Sequence, residues 1–255
     1  MRYIESFAND AAIQGALDNG SLGHPYLALD DQTHKIDWDN KENSNIKKYF
    51  TIEALERGSI RGNNRPYYSI NGGEWSLMPN SDLQLNAGDV VRFKSTSPSQ
   101  YSQYFQSNNQ LKCKAYGNVM SLIYGDDFLG KSEVPHSTFQ YLFDGWTNLM
   151  DVSNLMLPGE TLGKYCYNKM FRGCVNIEKA PYLPAETIGD GSYSGMFSGC
   201  TALNYIKCLA TNPVSSRISN WVLGVAETGT FVKKAGVDWP TGSSGIPSGW
   251  TVINA

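Results

Sequence analysis

The segment Met170-Phe171-Arg172-Gly173-Cys174-Val175-Asn176-Ile177 returns 26 residues later as Met196-Phe197-Ser198-Gly199-Cys200-Thr201-Ala202-Leu203. Leu157-Pro158-Gly159-Glu160-Thr161-Leu162 and Leu183-Pro184-Ala185-Glu186-Thr187-Ile188 stand in the same register. An earlier, degenerate copy is Leu142-Phe143-Asp144-Gly145-Trp146-Thr147-Asn148-Leu149, set 28 residues back because two residues are added before Pro158. A period in the twenties predicts a stack of turns, each burying its apolar face against the next. Two and a half turns need capping at both ends, by the region before them on one side and by Trp221 to Ala255 on the other. The repeat also predicts that Cys174 and Cys200 occupy equivalent buried positions.

Outward from the repeats, the 255-residue chain carries 25 Gly, 15 Tyr, 10 Phe and 6 Trp with 18% charged residues, a composition that favours strands and turns. Residues 47–123 predict an antiparallel β-sandwich domain, with alternating strands at Tyr49 to Leu55 and Val90 to Lys94. A hairpin is expected through Tyr67 to Trp75 about Asn71-Gly72-Gly73, a further turn at Leu85 to Asp89, and more strands from Leu111 to Ile123. Residues 1–46 predict a helix capped at Asn9 or Asp10, two short strands near Tyr26 to Leu29 and His34 to Trp38, and a polar linker from Asp39. So small a unit cannot bury its own core. Its apolar set, Ile4, Phe7, Ile13, Leu17, Tyr26, Leu27, Leu29, Ile36 and Trp38, is therefore expected to dock on a partner. Residues 124–255 are then the repeat region with its cap.

Function classes are narrowed by what the residues disfavour. The net charge of −3 with mixed signs predicts no binding to nucleic acid or to an anionic membrane. The opening Met1 to Ser6 lacks a signal peptide's apolar core, and no stretch approaches a membrane span, so a cytosolic origin is expected. Five cysteines without a CxxC pair predict free buried thiols rather than a zinc site or disulfides. Gly125-Asp126-Asp127-Phe128-Leu129-Gly130-Lys131-Ser132 matches a phosphate-loop pattern, and Val119 to Tyr124 could be its strand. Two aspartates inside an anion cradle and Pro135 in the following turn argue against nucleotide binding. Gly191-Ser192-Tyr193-Ser194-Gly195 has Tyr where a nucleophile elbow needs Ser. His24, His34 and His136 lack metal-ligand spacing, and the pairs Asp30-Asp31 and Asp126-Asp127 read as turns. No cofactor, metal or catalytic residue is expected, and the chain reads as non-enzymatic. Tyr67, Tyr68, Trp75, Tyr101, Tyr104 and Phe105 form a candidate glycan platform. The Ser, Gln, Asn and Tyr-rich loop Ser95 to Asn109 is the candidate contact loop, with Tyr101, Tyr104 and Phe105 at its centre.

Phe-x-Gly-Cys-x-x-Leu followed by Leu-Pro-x-Glu-Thr resembles the BspA-like leucine-rich repeats of Bacteroides surface proteins. The ending Thr228-Gly229-Thr230-Phe231 with Ile246-Pro247-Ser248-Gly249-Trp250-Thr251-Val252 is similar to the segment that closes such arrays. The resemblance covers about residues 113–255 and implies a short solenoid that displays binding surfaces without catalysis. The opening Tyr3-Ile4-Glu5-Ser6-Phe7 resembles the attachment segments of structural proteins from crAss-like phages of Bacteroidetes. Together they imply a virion-surface protein of the head-fibre or decoration type, anchored by residues 1–46 to capsid or tail proteins. It is expected to be a homo-oligomer, as a trimer, and to adhere to host glycans or a surface receptor. The alternatives are a bacterial cell-surface adhesin or carbohydrate-binding repeat protein, and a phage tail appendage subunit.

Overall fold

The computed structural model describes residues 48–62, 66–95, 105 and 110–255. The expected helix and hairpin of residues 1–46, with all nine apolar docking candidates, lie outside the described residues.

The described chain is mainly β, with mixed and antiparallel sheets. Alternation sets the first sheet: in β1 (Phe50–Ala54), Phe50, Ile52 and Ala54 turn inward, and in β6 (Val90–Lys94), Val91 and Phe93 do so. The sheet order is β4 (Ser76–Leu77), β3 (Tyr67–Ile70), β6, β1, β7 (Cys113–Asn118) and β8 (Leu149–Asp151), with β9 (Leu155–Met156) also on β7. Its pairings are antiparallel up to β7 and parallel beyond it. A two-stranded antiparallel sheet of β2 (Gly58–Ile60) and β5 (Leu83–Leu85) adds to the same core. The β3–β4 hairpin turns at Asn71-Gly72, both with positive φ (51° and 78°), as the sequence predicts.

Of the expected sandwich, the mainly β character is present. Among the described residues the larger sheet is accompanied by the two-stranded β2–β5 sheet, and aromatic rings from the repeat region cover its inner face. Phe143 lies 5.9 Å from Phe50, and Trp146 the same distance from Phe105, between ring centroids. One continuous buried cluster therefore spans residues 50–250, and β7 joins its parallel partners across the boundary expected at 123–124. Val119 to Tyr124, which could be a strand by sequence, instead contains α1 (Ser121–Tyr124), and a 3-10 turn, Gly125–Asp127, follows it. Ser121 fixes it there: its Oγ donates to Phe93 O and accepts from Phe50 N.

The repeats stack as turns with two kinds of backbone hydrogen bond in alternation. Tyr165, Tyr167, Lys169, Phe171 and Gly173 donate N–H to the carbonyls of Asp190, Ser192, Ser194, Met196 and Ser198 in the next turn, at 2.8–3.1 Å. The intervening Asn168, Met170, Arg172 and Cys174 donate back three residues within their own turn. The pattern continues: Phe143 and Gly145 donate to Met170 and Arg172, while Phe197 and Gly199 donate to Trp221 and Leu223. Every donor of this column points toward the C-terminus, whereas elsewhere on the turns Ala202, Asn204, Leu209 and Ala226 donate back to Val175, Glu178, Leu183 and Leu203 of the preceding turn. Such a winding needs left-handed residues at fixed intervals, and Gly145, Gly173, Gly199 and Gly224 supply one column with φ of 74–78°. Gly191 and Gly195, which flank the elbow-like Ser192-Tyr193-Ser194, occupy the positions filled one turn earlier by Tyr165 and Lys169, also at positive φ.

Side chains stack in the same register. Phe143, Phe171 and Phe197 lie parallel at 5.4 and 5.5 Å, and Phe139, Tyr167 and Tyr193 form a second column at 5.9 and 6.3 Å. Both columns end on buried Trp221, which donates from Nε1 to Gly245 O and stacks on Trp239. Across from the turns, short parallel pairings stack at Thr161 with Thr187 and Lys179 with Tyr205. They end in the parallel sheet of β10 (Tyr205–Cys208), β11 (Thr230–Lys233) and β12 (Thr251–Asn254). The helix α2 (Ser215–Ile218) leads into Trp221.

All five cysteines are free and buried. Cys174 and Cys200 repeat one contact, each Sγ donating to the carbonyl of the preceding turn, Phe143 at 3.1 Å and Phe171 at 3.0 Å. Burial raises the pKa of both thiols, and pushes those of Cys113, Cys166 and Cys208 up to about 12. Thiolate is the reactive form, so a thiol-specific chromogenic reagent should label neither Cys174 nor Cys200 at neutral pH and should titrate all five thiols in denaturant. Rapid native labelling of this pair would contradict the stacked register.

Candidate functional site

Alternation that buries one face of the first sheet presents the other. Across it, register places Ser69, Arg92, Thr51 and Tyr116 in one row on β3, β6, β1 and β7, and Tyr67 beside Lys94. Trp75, carried on the β3–β4 hairpin, lies over this face. The hairpin is held by Ser69 Oγ donating to Gly73 O at 2.6 Å and by Asn71, whose Oδ1 accepts from Val90 N and whose Nδ2 donates to Asp89.

Beneath Trp75 the chemistry is cationic. Lys94 Nζ sits 4.5 Å from the indole centroid and the Arg92 guanidinium 5.5 Å from it. Tyr49 meets the indole edge-on at 5.0 Å. Asp126 accepts from Lys94 at 2.7 and 2.9 Å and from the Tyr49 hydroxyl at 2.7 Å. These bonds hold the Asp126 carboxyl below the usual carboxylate range, while burial, reinforced by Asp126, pushes Tyr49 up to about 12. Arg92 donates to Ser69 Oγ at 3.1 Å. At the far end of the row, Lys48 lies over the Tyr116 ring at 5.5 Å. The side chains thus offer half-exposed rings beside fixed positive charge, suited to binding and lacking a nucleophile paired with a base.

The expected platform is divided by this geometry. Tyr67 and Trp75 belong to the outer face, whereas Tyr68 shares the inner face with Phe93 and packs on the core. Phe105, expected on a contact surface, is corrected: it is 1% exposed and packs edge-on against Phe93 at 5.1 Å. Tyr101 and Tyr104 lie outside the described residues. Tyr49, Arg92, Lys94 and Tyr116 were not singled out by sequence reasoning. The alternation of Tyr49, Thr51 and Glu53 against Phe50, Ile52 and Ala54 was the signal that could have found the first of them.

The phosphate-loop pattern is bent to other uses. Asp126 faces Lys94 and Tyr49, Lys131 lies over the Tyr124 ring, and no helix follows Ser132 before the repeats. His136, in an open groove of about 600 Å³ with Glu133 and Glu160, accepts the Lys164 N–H at Nδ1. Among the described residues no group of His, Cys, Asp and Glu converges to hold a metal ion, and no helix is long and apolar enough to cross a membrane. Comparison with family models, curated proteins and solved structures finds no match to the chain.

The Asp126 bonds carry a pH signature. A carboxyl whose folded pKa lies below its unfolded value of about 4 stabilises the fold above that pH and loses the contribution as pH falls through the lowered folded value. Wild type should melt above Asp126→Asn from neutral pH to about pH 5, with the gap closing below about pH 4. A gap unchanged at pH 2 would contradict the assigned partners.

Proposed function

We propose that the chain is a non-catalytic structural protein displayed on the surface of a bacteriophage particle, of the head-fibre or decoration type. In this reading residues 124–255 are a short BspA-like leucine-rich-repeat solenoid with its C-terminal cap. The observation that carries the reading is the turn-on-turn stack. Its continuous inter-turn hydrogen bonds and aromatic columns make a rigid body with few moving parts, suited to presenting a surface rather than to closing on a substrate. The phage setting is supported by the resemblance of the opening segment, and residues 1–46 are proposed as the attachment element, joining a trimer to capsid or tail proteins. The half-exposed aromatic and cationic face around Trp75 favours a second reading, a bacterial cell-surface adhesin or carbohydrate-binding protein.

Deleting residues 1–46 separates anchoring from folding. Because the described core is continuous without that segment, the truncated protein should keep a cooperative melt and yet be missing from purified virions by mass spectrometry. Normal incorporation of the truncated chain would overturn the anchoring role. Absence of the full-length chain from virions, with its recovery on bacterial envelopes, would favour the adhesin.

A further inference from the structure

The outer face has a charge unlike that of the whole chain. The protein carries a net −3, yet Lys48, Arg92, Lys94 and Lys114 gather on this one face. Asp126 answers Lys94. Among the described residues no carboxylate lies within ion-pair distance of Lys48, Arg92 or Lys114, although Lys114 stands between Glu53 on β1 and Asp151 on β8, which leaves Lys48 and Arg92 as the cations without a facing carboxylate. Partly exposed cations without a close carboxylate are an attractive field for an anion, and here they alternate with rings above the buried Thr51 and Ser69.

We infer that this face, from Trp75 across Arg92 to Tyr116, binds an acidic polysaccharide. The two parts of the chemistry are separate. Half-exposed Trp75 and Tyr116 offer apolar ring surface to the C–H faces of sugar rings. Arg92, with one side-chain hydrogen bond to Ser69 Oγ, keeps donors for a carboxylate or sulfate, which a guanidinium meets in a two-pronged fashion. Arg92 and Tyr116 lie two strands apart, about 10 Å at the usual strand spacing, a span for a short oligosaccharide rather than a single sugar. The locked Asn71-Gly72 hairpin holds Trp75 in place before any ligand arrives, so little ordering cost remains for binding. Lys48, Arg92 and Lys114, without an ion pair among the described residues, are too few to follow a nucleic-acid backbone, whose binding depends on many phosphate contacts.

The inference rests on the display reading only for its biological setting. Titration calorimetry of the full-length protein with oligogalacturonate, a heparin oligosaccharide, dextran of equal length and single-stranded DNA tests it. Binding of either acidic glycan is expected, distinguishing carboxylate from sulfate by which is tighter. Dextran and DNA should bind at least about tenfold more weakly, and raising salt should weaken the acidic glycan. Trp75→Ala should cost at least about tenfold in affinity. Because Trp75→Ala also removes a packed ring, the double charge reversal Lys48→Glu/Lys114→Glu at half-buried positions, checked for an unchanged melt, should give the same loss. Equal binding of dextran or DNA, no binding of either acidic glycan, or full affinity in the charge-reversal variant would overturn the inference. Glycan binding without virion incorporation would count against the display reading alone, and incorporation without glycan binding against this inference alone.

Discussion

The structure depends on one constraint: each turn of the repeat region must spend its outward N–H groups on the carbonyls of the next. A buried main-chain donor without a partner costs on the order of 1–3 kcal/mol, so a turn wound with alternate donors facing along the stack cannot stand alone. The next turn satisfies them, and the left-handed residues at Gly145, Gly173, Gly199 and Gly224 keep the winding in phase. Once the backbone register is fixed, equal side chains fall above one another. The Phe143, Phe171 and Phe197 rings stack and Cys174 and Cys200 repeat the same sulfur contact as a consequence.

A stack with a direction has two unlike ends, and the chain closes them differently. Toward the C-terminus, Trp221 receives both aromatic columns and is tied to Gly245 through its indole N–H, while β11 and β12 extend the parallel pairing for two further layers. Toward the N-terminus, β7 converts the parallel stack into an antiparallel sheet by pairing β8 and β9 on one edge and β1 on the other. That conversion frees the sheet's outer face from the core. The Trp75, Tyr49, Arg92 and Lys94 cluster can therefore assemble on a rigid support without taking part in the stack.

Much of this was legible because it is local or periodic. The 26-residue spacing gave the register of Phe171 with Phe197 and of Cys174 with Cys200, and the positive-φ pair Asn71-Gly72 announced its hairpin. The joint at β7 was not legible, since Cys113 pairs with Leu149 across 36 residues that carry no signal of the meeting. Val119-Met120-Ser121-Leu122-Ile123 is an apolar run that suits strand or helix equally, and the buried Ser121 hydroxyl decides for helix. Phe105 was misread because its polar neighbours suggested a surface, whereas one ring anchors to Phe50 and Phe93. The outer-face cluster draws Tyr49, Trp75, Arg92, Lys94 and Asp126 from four separate segments, and only the folded register brings them together.

A double-mutant cycle on Phe171→Ala and Phe197→Ala, read by denaturant unfolding, tests the stack most directly. The rings lie 5.5 Å apart and parallel in adjacent turns. Each single change should destabilise by about 3–5 kcal/mol, and the pair should couple by about 0.5–1.5 kcal/mol, the size of a direct aromatic contact. Strict additivity, with coupling below about 0.3 kcal/mol, would show that the two turns do not meet through these rings and would contradict the stacked register.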